Sequence, residues 1–280
     1  MSVKDFASLV KPGIVLGNLI SAVGGFCLGS HGHFQLQLFL NCLLGISLII
    51  GCAGVFNNIF DRDIDQLMER TQNRVLVKRL IQLWPAFIFG LLLGVTGLAV
   101  LALATNKLAV MLALVGLFIY LVIYTFLLKR NSIHATLIGG LSGGLPPAIG
   151  YCAATNRFDL PALLLILALC FWQIPHSYAI GILYTKDFQR AKIPLFPVLR
   201  SALNSKMAML IYALLFFAVT MLFPFLGYTG LLYTLTVGLS ALIWIILIAN
   251  GFWATQDEIW ARRVFLSSLI VITIFSLSLI

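Results

Sequence analysis

The chain alternates between long apolar runs and short polar connections. Nine continuous runs of mainly Leu, Ile, Val and Phe can be marked, each close to the roughly 20 residues that a helix needs to cross a bilayer. They lie near 13–31, 36–57, 83–104, 108–128, 133–153, 160–180, 207–227, 229–250 and 264–280. Because the runs are not polar at every second position, they lack the alternation of β-barrel strands. The pattern predicts an all-α polytopic membrane protein with nine transmembrane helices in one bundle.

Composition and charge agree with this fold class and add an orientation. Of the 280 residues, 61% are hydrophobic and only 10% are charged, and the mean hydropathy is +1.06. Placing the N-terminus inside puts sixteen lysines and arginines on one side and only Lys107 and Arg157 on the other. The positive-inside rule therefore predicts a cytoplasmic N-terminus and a C-terminus outside. The net charge of +9 then reflects topology and attraction to anionic lipids or substrates, not nucleic acid.

The first helix has neither a convincing small-residue cleavage site nor an Arg/Ser-rich presequence, so we expect it to be retained. These features predict a multi-pass protein of the bacterial cytoplasmic (inner) membrane. The five cysteines all fall within predicted helices without a CxxC pair, which favours packing roles over disulfides or metal binding.

Polar residues concentrate in two predicted cytoplasmic loops, 58–82 and 181–206, which follow the second and sixth helices. Their spacing suggests two similar four-helix units, about 1–130 and 131–250, plus a last helix, all within a single domain spanning 1–280. Pro146 and Pro147 interrupt the fifth helix, where they form either a packing kink or the wall of a cavity.

The first loop begins NNIFDRDIDQLMERTQNR. If this stretch is helical, Asn57, Asp61 and Asp65 stack on one face at i, i+4 and i+8, while Asp63 points elsewhere. Carboxylates one turn apart repel each other, so a cation between them is expected. Mg²⁺ fits because it takes oxygen ligands and is commonly bound by one or two carboxylates plus substrate phosphates.

Basic residues surround these acids and suit the phosphate itself. In the second loop, YTKDFQRAKIPLFPVLR, Asp187 is the one carboxylate, and it could complete a metal shell. The basic candidates for phosphate binding in the two loops are Arg62, Arg70, Arg74, Lys186, Arg190 and Lys192. The alternative is a pair of solvated loops whose basic residues only set topology.

His176 lies within the sixth predicted helix, in FWQIPHSYAI. Trp172 is one turn away on the same face, and Asp187 would share that face if the helix continued unbroken. An ionisable residue inside a span is a candidate functional residue, and histidine is a common haem ligand. The alternative is a histidine that hydrogen-bonds to a neighbouring helix.

Together these segments resemble a known family. The pattern Asn57-xxx-Asp61-xxx-Asp65, the Asp-bearing loop after helix 6 and the nine helices are similar to the intramembrane prenyltransferase superfamily. Nearly the whole chain resembles its protoheme IX farnesyltransferase (haem O synthase) branch, through KPGIVLGNLISAVGG, NNIFDRDIDQLMERTQNRVL, GGLPPAIGY, WQIPHSYAI and KDFQRAKIPLFPV. The last two segments distinguish that branch from its quinone and chlorophyll relatives.

The resemblance implies transfer of a farnesyl group from farnesyl diphosphate to a vinyl group of haem B. It implies that Asn57, Asp61 and Asp65 hold Mg²⁺, with Asp187 contributing. A central apolar cavity with a basic mouth would suit two apolar substrates with anionic ends. His176, with Trp172 beside it, is the candidate for orienting or ligating the porphyrin. Membrane lipid and haem-copper oxidase assembly factors are the expected partners. One departure from the superfamily is Ala191, which stands where many members have the second acid of another DxxxD.

Two other functions would fit parts of the pattern. A prenyltransferase acting on an aromatic quinone precursor would share the first motif but would not explain WQIPHSYAI. A transporter would place ionisable residues along a midplane pathway. Here eight of the nine acids instead fall in cytoplasmic segments, and Asp159 is the exception.

Overall fold

The computed structural model describes residues 2–280, and within them every regular element is helical. Short helix α1 (Val3–Leu9) precedes the bundle. The long helices are α2 (Pro12–Ser30), α3 (Leu36–Phe60), α5 (Leu83–Ala104), α6 (Lys107–Phe118, extended by a π-helix to Leu128), α7 (Ala135–Thr155), α8 (Leu160–Leu183), α11 (Ala202–Phe225), α12 (Leu231–Ala249) and α13 (Asp257–Leu277). Three short α-helices and one 3-10 helix (Asn250–Trp253) complete the described chain; the α-helices are α4 (Arg62–Asp65), α9 (Thr185–Arg190) and α10 (Phe196–Leu199).

Eight of the nine long helices between residues 2 and 280 are long and apolar enough to cross a membrane. The ninth is α7, which is long enough at 21 residues but rich in glycine and contains Pro146 and Pro147. Most of its residues are buried by neighbouring helices, so it needs little apolar surface of its own. A polytopic membrane bundle is thus confirmed, whereas a ninth span and the orientation of the termini stay predictions.

Close helix packing depends on glycine where α2 meets α7. A Cβ atom on Gly25 would lie 2.0 Å from the carbonyl oxygen of Pro147, and one on Gly150 would lie 2.3 Å from that of Ala22. Backbones can approach this closely only without side chains between them, as is usual in membrane helix pairs. The contact joins the first predicted four-helix unit to the second, and that division itself stays a prediction. It also shows Pro147 in a packing role.

The two polar loops meet at one end of the bundle. Ile64 and Met68 of the first loop pack against Ala191 and Ile193 of the second, and all four are buried. Acids and bases from distant parts of the chain are therefore brought to one mouth of the bundle. The central apolar cavity expected behind that mouth stays a prediction.

Candidate active site

The acidic motif lies where α3 ends. Asn57 and Asp65 are each 4% exposed and Asp61 is 1% exposed. The amide of Asp61 donates to the Asn57 carbonyl at 2.9 Å, and that of Asp65 donates to the Asp61 carbonyl at 2.8 Å, so helical bonding continues through the motif. Asp63 is different: its side chain is 60% exposed and pairs with Arg130 at 2.6 Å. The motif therefore has one buried side, as its spacing predicts.

A cation from elsewhere in the chain faces each member of the motif. Lys11 donates to the Asn57 side-chain oxygen, and Lys129 forms an ion pair with Asp61. Arg74 pairs with Asp65 at 2.5 Å. These contacts compensate the carboxylates, which could not otherwise remain charged while buried.

Lys11 and Lys129 are site residues that sequence reasoning missed. In the sequence they contribute only to the excess of positive charge that sets the membrane topology. Lys11 immediately precedes α2 and has a left-handed backbone (φ 57°). Lys129 follows the π-helix, and its amide donates to the Tyr124 carbonyl five residues back, at 2.8 Å. π-Helical turns occur frequently at functional sites, but nothing in this sequence signals one here.

The basic side chains at this mouth favour an anion, whereas the carboxylate of Asp61 favours a cation. Burial, together with the nearby positive charges of Arg74 and Lys129, lowers the pKa of the Lys11 ammonium to about 7. Asp61 retains one oxygen, Oδ1, that is buried without any hydrogen-bond partner among residues 2–280. An unpartnered, buried carboxylate oxygen is costly unless a cation or a proton donor approaches it. Oxygen ligands of this kind suit Mg²⁺.

Asp187 connects the two loops. Its two carboxylate oxygens accept the backbone N–H groups of Glu69 and Arg70, at 3.0 and 3.1 Å. Arg190 approaches the same carboxylate at 3.8 Å and pairs with Glu69 at 2.5 Å. Asp187 thus orders the first loop, and its role as a metal ligand stays a prediction. Within residues 2–280, no three acidic, histidine or cysteine side chains are grouped as a ready-made metal site.

The other predicted phosphate-binding residues belong to the two loops that meet here. The guanidinium of Arg70 lies over the ring of Tyr184, 5.3 Å from its centroid. Arg62, Lys186 and Lys192 form no ion pair with any part of the chain that the structure describes, so their charges remain available.

His176 and Trp172 form a stacked pair where α8 meets α13. Their rings stack with centroids 4.6 Å apart, and His176 Nδ1 lies 2.7 Å from the hydroxyl of Ser268 on α13. Helix α8 ends at Leu183, and the chain turns at Tyr184 before α9. The helix is therefore broken between His176 and Asp187. The two residues do not share a helix face, because the turn redirects Asp187 toward the first loop.

Comparison with known proteins identifies the family to which this chain belongs. A sequence model of the UbiA prenyltransferase family matches residues 18–269. The chain belongs to the UbiA prenyltransferase family. It is 46% identical over 276 residues to the Protoheme IX farnesyltransferase of Yersinia pestis (strain Pestoides F), covering 99% of this chain and 93% of the relative. It is 45% identical to the enzyme of that name from Pseudomonas savastanoi pv. phaseolicola, with 99% and 94% covered.

Solved structures of the UbiA family share the fold. A structure described as digeranylgeranylglyceryl phosphate synthase superposes with a TM-score of 0.81 at 18% identity, covering 99% of this chain and 96% of its own. A UbiA homolog from Archaeoglobus fulgidus, bound to GPP and Mg²⁺, gives 0.73 at 16% identity, with 98% and 99% covered. At these identities the likeness establishes the architecture alone.

Proposed function

We propose that this protein transfers the farnesyl group of farnesyl diphosphate to a vinyl group of haem B, producing haem O and diphosphate. The observation that carries this proposal is the 46% identity, over 99% of the chain, to enzymes named Protoheme IX farnesyltransferase. Buried oxygen ligands surrounded by cations at the mouth of an apolar bundle suit an allylic diphosphate, whose tail is apolar and whose head is anionic.

The diphosphate end of the reaction belongs to the two loops. Asn57, Asp61 and Asp65 would hold Mg²⁺, and the unpartnered Asp61 Oδ1 supports this assignment. Asp187 contributes by ordering the loop and, in the predicted role, as a further ligand. A metal ion held by these residues would supply neutralisation of the charge that develops on the leaving diphosphate.

Basic side chains add to that stabilisation. Arg74 and Lys129 already lie beside the acids, and they can contact phosphate oxygens when a metal takes over the carboxylates. The loop residues named for phosphate binding complete the clamp: Arg62, Arg70, Lys186, Arg190 and Lys192. A UbiA homolog from Archaeoglobus fulgidus was solved with GPP and Mg²⁺ bound, which is consistent with this use of a divalent metal.

The haem end belongs to the bundle interior, where Trp172 and His176 would contact the porphyrin. Breaking the allylic C–O bond leaves positive charge on the farnesyl chain, and an apolar cavity delays its capture by water. The vinyl group of haem B attacks instead through its terminal carbon, which passes the positive charge to the vinyl carbon next to the porphyrin ring. Water then adds to that carbon and releases a proton, leaving a hydroxyl group.

The architecture we propose has nine spans in one domain, with the N-terminus in the cytoplasm and the C-terminus outside. In the bacterial inner membrane this orientation presents the two loops to soluble farnesyl diphosphate. A membrane-embedded haem enzyme of this kind would deliver its product to haem-copper oxidase assembly factors, the partners expected from the sequence.

Incubation of the purified protein in detergent with haem B, farnesyl diphosphate and Mg²⁺ tests the reaction. Mass spectrometry should detect a porphyrin that has gained a farnesyl group and a hydroxyl group, and a chelator should abolish that gain. Unchanged haem in folded protein that instead prenylates an aromatic quinone precursor would reject haem as the acceptor.

A further inference from the structure

The imidazole ring of His176 is held in one orientation. Trp172 stacks on it at an interplanar angle of 24°, and Phe265 of α13 packs at 5.1 Å between ring centroids. Trp172 also donates its indole N–H to the Ser268 carbonyl at 2.9 Å, which ties α8 to α13 beside the histidine. The ring therefore cannot rotate without breaking contacts between two helices.

The hydrogen bonds of Ser268 determine which ring nitrogen carries the proton. Its hydroxyl donates to the Phe265 carbonyl at 2.6 Å, so its one hydrogen is already used. Toward His176 Nδ1, 2.7 Å away, the same oxygen can only accept. Neutral His176 is therefore the tautomer protonated at Nδ1, with its lone pair on Nε2.

That lone pair is free to bind a ligand. His176 Nε2 has no hydrogen-bond partner in residues 2–280. It is also not among the fully buried side-chain atoms without a partner in that range. Nε2 is therefore partly accessible rather than sealed by protein atoms. A free Nε2 opposite a hydrogen-bonded Nδ1–H is the usual arrangement of a metal-binding histidine.

We propose that His176 coordinates the iron of the haem substrate through Nε2, and that Ser268 is the positioning residue that fixes the required tautomer. This inference rests on the proposed function, since it takes haem B as the acceptor. Coordination uses the Nε2 lone pair and leaves the oxidation state of the iron unchanged. It would hold the porphyrin by its centre while a vinyl group at its edge faces the farnesyl chain.

Titration of the full-length protein in detergent with ferric haem B, without farnesyl diphosphate, tests the coordination by its Soret band and electron paramagnetic resonance. The wild type should give the spectrum of imidazole-ligated haem. His176→Ala should lose that spectrum, and added imidazole should restore it. Ser268→Ala should weaken haem binding by about 10–100-fold, the usual effect of removing the partner of a ligating histidine.

Ser267→Ala is the matched control, because the Ser267 hydroxyl bonds only to the carbonyls of Arg263 and Val264 in its own helix. Its haem affinity and spectrum should equal those of the wild type. Equal haem affinity and spectra in Ser268→Ala and Ser267→Ala would overturn the proposal even if His176→Ala fails to fold.

An unchanged spectrum in His176→Ala would also overturn the coordination, while the proposed function stands if that variant still farnesylates haem. A wild type that neither binds nor farnesylates haem would instead reject the proposed function. The two failures are thereby distinguishable.

Discussion

At the scale of single residues, the site is a set of buried charges that compensate each other. Asp61 and Asp65 were predicted from their spacing, because a period of four places them on one helical face. Their partners could not be predicted: Lys129 is 68 residues from Asp61, and Lys11 is 46 residues from Asn57. Such contacts depend on how the helices pack, which local spacing does not encode.

The carboxylates of Asp61 and Asp65 are expected to be essential for turnover. Asp61→Asn or Asp65→Asn should lower kcat/KM for haem farnesylation by ~100-fold or more, because each removes charge from the proposed metal site. Asp63→Asn is the control, since Asp63 is exposed and pairs with Arg130 outside the motif. Activity is measured by mass spectrometry and folding by thermal melting. An Asp61→Asn enzyme as active as Asp63→Asn would disprove the assignment.

Lys129 is expected to substitute for the metal when none is bound. Lys129→Gln leaves Asp61 buried and uncompensated, which should cost about 3–5 kcal/mol of stability in chelator. Adding Mg²⁺ should raise the melting temperature of this variant more than that of the wild type, because no ammonium has to be displaced. Lys186→Gln, whose lysine is exposed and unpaired within residues 2–280, should respond like the wild type. Equal Mg²⁺-induced shifts in all three proteins would contradict this account.

At the scale of elements, the two loops depend on each other for order. Asp187 was predicted as a site residue, but its contacts with the amides of Glu69 and Arg70 appear only when α8 ends and the chain turns into α9. The first loop between residues 66 and 82 contains no regular helix, so these bonds provide part of its order.

Asp187→Ala should therefore loosen the first loop. It removes both charge-assisted bonds, each contributing about 1.5–3 kcal/mol, so amide exchange at Glu69 and Arg70 should accelerate by roughly tenfold or more. Glu69→Gln is the control, since it weakens only the exposed pair with Arg190. The rates are measured by hydrogen exchange with mass spectrometry. Equal exchange rates in both variants for peptides covering 66–74 would contradict the ordering of the first loop by Asp187.

The contact between α2 and α7 should tolerate no added side chain. Gly25→Ala places a methyl group 2.0 Å from the Pro147 carbonyl oxygen, so the helices must separate at a cost of ~1–3 kcal/mol or more. Gly17→Ala, in the same helix, meets no atom within 4 Å and serves as the control. Melting in detergent should show a lower transition temperature for Gly25→Ala alone. Identical transition temperatures in the two variants would mean that the backbones of α2 and α7 lie farther apart at Gly25.

At the scale of the whole molecule, one question is whether α7 crosses the membrane. Hydropathy supports eight spans, and charge asymmetry supports nine with the ends on opposite sides. The two counts place the C-terminus on different sides when the N-terminus is cytoplasmic. Because α7 is buried among other helices, it needs less apolar surface, so its low hydropathy underestimates its suitability as a membrane span.

A reporter enzyme that is active only outside the cytoplasm should therefore be active when fused after Ile280. The same reporter inserted after Leu199, in the second loop, should be inactive. An inactive C-terminal fusion that is expressed at the same level would indicate eight spans and would require α7 to lie within the protein without crossing.

The sequence alone determined the membrane class, the positions of most helices to within a few residues and the acidic motif, because each follows from local composition or from a period of about four. Helices α11 and α13 begin earlier than predicted, at Ala202 and Asp257, because their first turns carry polar and charged residues that an apolar run excludes. It also identified His176 and Trp172 as neighbours on one helix face. Tertiary structure decided the rest: the cations that contact Asp61 and Asn57, the ordering of the first loop by Asp187 and the pairing of His176 with Ser268, 92 residues away. These features arise where separate helices meet, and the free energy that selects them comes from packing and from the need to compensate buried charge.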